Sequence, residues 1–352
     1  MKRYNNLFTK VYALENIRLA HENAQRGKSH YREVKMLNSD PEKYFLEIQD
    51  MLKNKTFCNS KYEKIIRVMD NGKVREIYKL PYFPDRIIHH CIVQVMEDIW
   101  TSTFIKETYS CIKGRGIHKC MKKIKRDLLD RENTKYCLKM DVKKFYPSVD
   151  HNILKHLLNR KIKDKDMMWI LSEIIDSMPG VPIGNYLSQY FGNIYLSYFD
   201  HWMKEQKNCK YYYRYCDDIV VLSDSKSTLH RIRREVDEYF RLNLKLEMKK
   251  NWQVFPVASR GIDFLGYRFF HGYTLLRKSI AKRFVSKANN IRRNWEKMSY
   301  SSVVNGIMSY YGWVKHGNCK NLLNKHIDGE LFWIVKQKAK EVGISNPLQG
   351  RL

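Results

Sequence analysis

The stretch Tyr213–Asp224 reads YRYCDDIVVLSD and sets Asp217 and Asp218 side by side between an aromatic run and an apolar run. A third acid, Asp141, closes the apolar run YCLKM. If the strands these runs encode are neighbours, three carboxylates converge at one sheet edge. Like charges at short range raise one another's pKa, so a bare cluster is unfavourable, and divalent cations would resolve it. Hard oxygen donors with little else nearby suit Mg²⁺, which keeps waters and takes further ligands from substrate phosphates. Two such ions roughly 3.5–4 Å apart would serve in-line phosphoryl transfer, one activating an attacking hydroxyl and the other steadying a leaving pyrophosphate. On the dipeptide alone, an Asp-Asp surface turn is the ordinary reading. The order of strand with Asp141, Gly-Pro loop and Tyr-x-Asp-Asp hairpin shifts the balance toward chemistry.

The elements that must position these acids follow from the pattern. KYCLKMDVKKFYPSVD is a strand running into a turn at Pro147, and KYYYRYCDDIVVLSD is strand, tight turn, strand. Between them HNILKHLLNRKI is a helix, and GVPIGNYLSQYFGNIYLSYFDHWM is a Gly-Pro loop feeding a long aromatic helix. KSTLHRIRREVDEYFRLNLKLEM is a further helix ending near Asn243, and GIDFLGYRFF is a short strand or hairpin. Upstream, the first fifty-odd residues read as mostly helical, with Asp40 as N-cap and Pro41 in the first turn of one helix. YEKIIRVMDNGKVREIYKL reads as a hairpin about Asn71-Gly72. DRIIHHCIVQVMEDIW is a helix with Ile88, Cys91, Ile92, Val95 and Ile99 on one face. From residue 277 the chain is basic and helical. Alternating strands and helices within 136–270 argue for an α+β sheet domain.

Composition agrees with a polyanion as partner. The 352 residues carry 65 Lys+Arg against 37 Asp+Glu, a formal net charge of +28. Each phosphate neutralised by such a chain releases counterions, which favours nucleic acid. A membrane surface is the rival, but no basic amphipathic helix stands alone at a terminus, so no membrane partner is expected. The eight cysteines are scattered without a C-x-x-C pair, so a zinc ribbon and a thioredoxin-like motif are both unsupported. They read as reduced thiols of a cytoplasmic protein. MKRYNNLFTK has charge but no apolar stretch after it, so no signal segment is read.

At this point the chain resembles the reverse transcriptases. YCDD is similar to their Y-x-D-D hairpin, MDVKKFYPSVDH to the motif holding the first metal-binding aspartate, and FLGY (264–267) to the primer-grip hairpin. REIYKLPYFPDRIIHH and SCIKGRGIHKC resemble the finger segments of bacterial members. The resemblance spans roughly residues 60 to 320 in the right order. It implies a right-hand polymerase: an N-terminal helical extension over 1–60, interleaved fingers and palm over 61–270 with an antiparallel sheet plus helices, and a basic helical thumb over 271–352. It implies two Mg²⁺ bridged by Asp141 and Asp217, with Asp218 a weaker partner and the Val142 carbonyl a further ligand. Tyr146 would stack under the sugar of the incoming deoxynucleotide and exclude a 2′-hydroxyl. Arg75 and Lys79 would clasp its triphosphate. Ile183, Gly184 and Gln189 would line its pocket. Lys250, or the adjacent Lys249, would be the general acid for pyrophosphate, and Phe264, Leu265, Gly266 and Tyr267 the primer grip.

GVPIGNYLSQ narrows the resemblance. Group II intron and retron enzymes usually carry Gln-Gly here and end Ser-Pro, whereas this chain has Ile183-Gly184 and ends Ser188-Gln189. That pattern, with SYYGWVKHGNCKNL (309–322), resembles reverse transcriptases of diversity-generating retroelements, and the retron V-T-G is absent. The resemblance implies error-prone copying of a template-repeat RNA at template adenines, mutagenic retrohoming, an RNA–DNA or RNA–primer duplex as substrate, and a small, basic, oligomeric accessory protein. Aromatic Tyr310, Tyr311 and Trp313 read as thumb core. Two other classes stay open: a retron, intron-type or phage-defence reverse transcriptase, and a non-catalytic RNA-binding protein on the same fold.

Overall fold

In the computed structural model, which describes residues 2–68, 72, 74–327 and 329–343, the alternating run before residue 80 forms a two-stranded antiparallel ribbon. Its strands are Glu63–Val68 (β1) and Val74–Lys79 (β2), in register from Glu63 opposite Lys79 to Val68 opposite Val74. Asn71, expected in the turn, lies outside the described residues. β1 is exposed along its whole length, and Ile66 and Val68 are 65% and 68% accessible. A ribbon that buries so little is held by its backbone ladder and by cross-strand pairs such as Lys64–Glu76, at 2.6 Å. Four helices precede it: Phe8–Val11, Leu14–Ala24, Arg32–Ser39 and Pro41–Lys53. Pro41 takes the first helical position, where its missing N–H is harmless. Asp40 stands at the cap position as expected, yet its side chain makes no capping hydrogen bond.

A four-stranded sheet follows in the order β4-β5-β3-β6, where β3 is Tyr136–Asp141, β4 Tyr211–Tyr215, β5 Asp218–Ser223 and β6 Gln253–Pro256. Residues 211–214 and 219–222 are buried without alternation, so β4 and β5 are covered on both faces. The helix Ser188–His201 supplies part of that cover, with the Phe199 ring 6.4 Å from Tyr212 and 4.7 Å from Phe240. The stripe expected on the helix Ile87–Thr101 departs from expectation at its end. Ile88, Cys91 and Ile92 are buried, but Val95 and Ile99 are only half-buried while Met96 and Trp100 take the core. Trp100 is drawn in by aromatic neighbours, 5.5 Å from Tyr190 and 6.4 Å from Phe191.

Within this core lies a fully buried ion pair. Arg214 on β4 and Asp200 on the aromatic helix have no accessible surface. Arg214 Nε donates to Asp200 Oδ1 at 2.7 Å and Nη2 to Oδ2 at 2.5 Å, a two-pronged pairing that suits a guanidinium. The Tyr212 hydroxyl and Thr108 Oγ1 donate to the same carboxylate, at 2.6 and 3.0 Å. The remaining guanidinium nitrogen, Nη1, donates to Asn193 Oδ1 at 3.1 Å and to the Cys216 carbonyl at 3.0 Å. Burial on this scale is tolerated because every oxygen and nitrogen is engaged.

The chain falls into two units: Met1–Cys120, Leu138–Val221 and Ser227–Gln253 form the first, and Met121–Cys137, Leu222–Lys226 and Val254–Leu352 the second. The first unit holds the N-terminal helices, the ribbon and the acidic end of β3. The second holds a three-stranded antiparallel sheet of Ile262–Phe264 (β7), Tyr267–Phe269 (β8) and Thr274–Leu276 (β9), then the helices Lys278–Asn294, Tyr300–Val314, Lys320–His326 and Gly329–Glu341. The helix Lys278–Asn294 buries Ile280, Phe284, Ala288 and Ile291, one stripe of an otherwise basic surface. No helix among the described residues is long and apolar enough to cross a membrane.

Removing one member of the buried pair strands the other. Arg214→Ala is expected to destabilise the protein by about 3–5 kcal/mol, measured by urea denaturation. The double replacement Arg214→Met with Asp200→Leu should lose less than the single one.

Candidate active site

Two elements of the first unit deliver acids to one place. β3 ends at Asp141, and the hairpin β4–β5 turns at Cys216-Asp217. Cys216 has φ +54°, the left-handed conformation that a two-residue hairpin connection demands. The Cys216 carbonyl is held from below by Arg214, so the turn is not free to relax. There the Asp217 carboxyl meets Asp141 and is pushed up to about 7, by burial first and then by the Asp141 charge. Asp141 Oδ2 accepts from Lys249 Nζ at 2.5 Å, while its Oδ1 is buried and meets no donor. Asp218 is drawn aside by Lys139, its Oδ2 lying 3.5 Å from the ammonium.

The backbone adds one acceptor. Val142 pairs with Met248 in an antiparallel bridge flanked by Lys249 N–H to the Asp141 carbonyl (2.9 Å) and Lys143 N–H to the Glu247 carbonyl (2.8 Å). In that pattern the bridge residue's own N–H and C=O turn away from the partner strand. The Val142 carbonyl therefore faces the β5 side of β3. Among the described residues no three His, Cys, Asp or Glu side chains are gathered closely enough to hold a metal ion alone. Two facing carboxylates, one with an oxygen lacking any donor, and a free-facing carbonyl nonetheless fit a hard dication that draws its other ligands from water and substrate.

Tyr146 is half-buried behind this pair. Its phenol is pushed upward by burial first and then by Cys216, Cys111 and Asp217, which places it beside the acids. Ser110 Oγ lies 2.7 Å from Cys216 Sγ and 3.1 Å from Cys111 Sγ, so a hydroxyl and two thiols pack beneath the hairpin. All eight cysteines are free, as expected. The loop Gly180–Gly184 is clamped from both sides. A Cβ at Gly180 would come within 2.6 Å of the Pro147 carbonyl oxygen, and Val181 N–H bonds the Tyr146 carbonyl at 2.8 Å. A Cβ at Gly184 (φ +118°) would come within 2.6 Å of the Tyr78 carbonyl oxygen, and Tyr78 N–H donates to the Ile183 carbonyl at 2.7 Å.

The other expected site residues fall in distinct places. Arg75 is exposed on β2 opposite Arg67, and Lys79 ends that strand 3.7 Å from Glu63. Gln189 is exposed on the rim of a cavity of about 460 Å³ that Cys111, Tyr186 and His90 also line. Lys249, not Lys250, reaches the acids; Lys250 is exposed. In the second unit Phe264 and Tyr267 are fully buried, and the corner between them is Leu265 at φ +54° and Gly266 at φ +83°. A Cβ at Gly266 would meet the Trp313 ring at 2.5 Å, so the ring packs on this corner, but Tyr310, Tyr311 and Trp313, expected as core, are each only half-buried. Sequence reasoning missed Asp200 and Arg214. The signal was there: a lone arginine in YYYRY and a lone aspartate in YLSYFDHW are charges inside runs that otherwise read as core.

A ribbon, a sheet with an acidic turn and a helical basic unit define the fold of a right-hand polymerase. The family described as "Reverse transcriptase (RNA-dependent DNA polymerase)" matches residues 59–269, more than half of the chain, and the chain belongs to that family. Protein YkfC of Escherichia coli K12 is 26% identical over 243 residues, which cover 56% of this chain and 64% of that protein. The group II intron-encoded protein LtrA of Lactococcus lactis is 24% identical over 208 residues, 47% of this chain and 34% of its own. The chain thus spans less than two-thirds of the length of these curated relatives. Among solved structures, apo telomerase from Candida tropicalis shares the fold with a TM-score of 0.51 at 12% identity, over 83% of this chain and 59% of that one.

The facing acids set a pH dependence. A carboxyl raised to about 7 in the fold is protonated in both states below its unfolded value, and its stabilising proton is lost as pH rises through about 7. Asp217→Asn is therefore expected to raise the melting temperature of the metal-free protein more at pH 8 than at pH 5. Thermal unfolding in EDTA reads this; an equal shift at the two pH values would count against the paired geometry.

Proposed function

We propose that this chain is an RNA-directed DNA polymerase, which extends a primer 3′-hydroxyl with deoxynucleotides on an RNA template. The observation that carries the reading is the pair Asp141 and Asp217, brought face to face by two strands and left with an unmet oxygen. Two Mg²⁺ held by Asp141, Asp217 and the Val142 carbonyl would activate the attacking hydroxyl and neutralise the leaving pyrophosphate. Asp218, with the Lys139 ammonium 3.5 Å from its Oδ2, would be a weaker partner of the ions. Tyr146 offers its ring as a floor under the sugar, and Arg75 and Lys79 stand on an exposed ribbon able to meet a triphosphate. Lys249, an ammonium already at the acids, is better placed than Lys250 to give a proton to pyrophosphate. Leu265 and Gly266 present a backbone corner to the primer, with Phe264 and Tyr267 anchoring it from the core.

Within this class we place the chain among the enzymes of diversity-generating retroelements, copying a template-repeat RNA with errors at adenines alongside a small, basic, oligomeric accessory protein. The support is Ile183. Its side chain offers no hydrogen bond at the position where the resemblance to group II intron and retron enzymes would place a glutamine, and its carbonyl is already committed to Tyr78. A site that makes fewer polar contacts leaves fewer groups unpaired when the wrong nucleotide binds, so it discriminates less. A group II intron-like enzyme is the second reading, favoured by the likeness to LtrA. Flanking DNA separates them, since a diversity system needs two near-identical repeats differing at adenine positions.

Primer extension on RNA with Mg²⁺ tests the activity: wild type extends and Asp217→Asn falls to background. Absence of extension by wild type, supplied with accessory protein and template RNA, would defeat the polymerase reading. Ile183→Gln should lower misincorporation opposite template adenine, read by sequencing the cDNA; an unchanged error spectrum would remove the role given to Ile183.

A further inference from the structure

The hairpin that carries Asp217 lies against a second segment of the first unit, residues 107–111. Thr108 forms a parallel bridge with Arg214, flanked by Tyr109 N–H to the Arg214 carbonyl and Arg214 N–H to the Glu107 carbonyl, both at 3.4 Å. Carried two residues further, that register sets Ser110 beside Cys216, with Cys111 just beyond. Asn193 Nδ2 donates to the Ser110 carbonyl at 2.8 Å while its Oδ1 accepts from Arg214, so the buried ion pair holds both segments. Cys111 and Cys216 each take the left-handed backbone, at φ +57° and +54°, so each is the residue at which its segment turns. One hydroxyl serves both sulfurs: Ser110 Oγ lies 3.1 Å from Cys111 Sγ and 2.7 Å from Cys216 Sγ. The two thiols also hydrogen-bond each other, which draws the Cys111 thiol down.

This pair differs from the other thiols of the chain. Cys58 is exposed and five cysteines are buried, whereas Cys111 and Cys216 are both half-buried. Cys111 also lines the cavity of about 460 Å³ described above, so a small oxidant reaches its sulfur from that side. An accessible thiol with a second thiol beside it is the arrangement that oxidises reversibly, because the second sulfur captures the first before it is over-oxidised. In a reducing compartment such a bond is transient and reports on the redox state.

We propose that Cys111 and Cys216 form a redox modification site, oxidised by a hydroperoxide to a disulfide that displaces the turn bearing Asp217. The Cys111 sulfur attacks one peroxide oxygen and the O–O bond breaks. Cys111 becomes a sulfenic acid, and the leaving hydroxide takes the Cys111 proton to become water. The Cys216 sulfur then attacks the Cys111 sulfur. An S–S bond forms, the S–O bond breaks, and the hydroxyl leaves as water with the Cys216 proton, which Ser110 Oγ is placed to relay. Two thiols lose two electrons and the peroxide gains them; a dithiol reverses the change. The bond draws the sulfurs to about 2 Å, so the shared hydrogen bonds to Ser110 are lost and Cys216 is pulled toward residue 111. Asp217 is the next residue, and the Tyr146 phenol hydrogen-bonds the same Cys216 sulfur, so both feel the pull.

The test treats the full reduced chain with hydrogen peroxide, caps free thiols with iodoacetamide and digests with trypsin. Cleavage at lysine and arginine places Cys111 in the peptide 107–113 and Cys216 in 215–226. Mass spectrometry should find the two joined, lighter by two hydrogens, and separate again after dithiothreitol. Peptides 107–113 and 215–226 that are never joined, with Cys111 carried on to a sulfinic acid or bonded elsewhere, overturn the proposal. This arm needs neither activity nor a variant. The second arm rests on the polymerase reading. Misplacing reacting groups by about 1 Å costs on the order of 100-fold, so peroxide should lower primer extension by about 10–100-fold, restored by dithiothreitol. Cys111→Ser should start near wild type and keep its activity in peroxide, while Cys58→Ser should lose it as wild type does. Equal loss in wild type and Cys111→Ser, or a linked wild type that extends primers as before, overturns the hold on the turn. If Cys111→Ser does not fold by circular dichroism, the joined peptide and the recovery of wild type in dithiothreitol decide alone. A reduced chain that extends no primer yet forms the joined peptide keeps this site and loses the polymerase reading.

Discussion

The geometry of the acidic site depends on one buried ion pair. Arg214 and Asp200 join β4 to the aromatic helix, and the same guanidinium reaches the Cys216 carbonyl in the turn that bears Asp217. The segment before Cys111 is tied in as well, through Thr108, which bonds Asp200 and bridges Arg214. A hydrophobic pair of the same volume could fill this space and could stabilise the fold as well or better. It could not fix the turn, because only a planar donor set can hold a helix carboxylate, a side-chain amide and a turn carbonyl in one plane. The pair is best understood as a device for position.

Charge is arranged in this unit so that the fold opposes it locally. Asp217 against Asp141 is unfavourable without a cation. That arrangement is supported by a turn whose Cys216 carbonyl is held by Arg214. Binding energy is then available at the moment the counter-charge arrives, since nothing has to be reorganised to receive it. Lys249 on Asp141 softens the acidic case without removing it, because the second oxygen stays unmet.

Much of this was legible in the sequence, for physical reasons that differ by residue. Asp141 and Asp217 announce themselves as charges at the ends of apolar strands, and strand ends meet whenever the strands pair. The ribbon β1–β2 and the basic helices after residue 277 follow from alternation and period. Asp218 and Asp217 could not be told apart in this way, since adjacent residues share a motif, and the turn geometry brings Asp217 to Asp141 while Asp218 comes to lie 3.5 Å from Lys139. Lys249 and Lys250 pose the same problem, and only the bridge of Val142 with Met248 sets the register that brings Lys249 forward. The stripe on Ile87–Thr101 was misplaced by one position at its end because Trp100, a polar-tipped ring, is drawn inward by Tyr190 and Phe191.

The bond from Tyr78 N–H to the Ile183 carbonyl, with Gly184 pressed on the Tyr78 carbonyl and the Ile77 side chain, joins the ribbon to the loop at its base. Beyond that point the described ribbon runs on to Val68 and Val74, about 14 Å of strand, with few packed side chains to damp it. Mechanically it is a lever with its fulcrum at residue 78. A contact made on the outer residues of β1 or β2 would return to Ile183 as torque on one peptide.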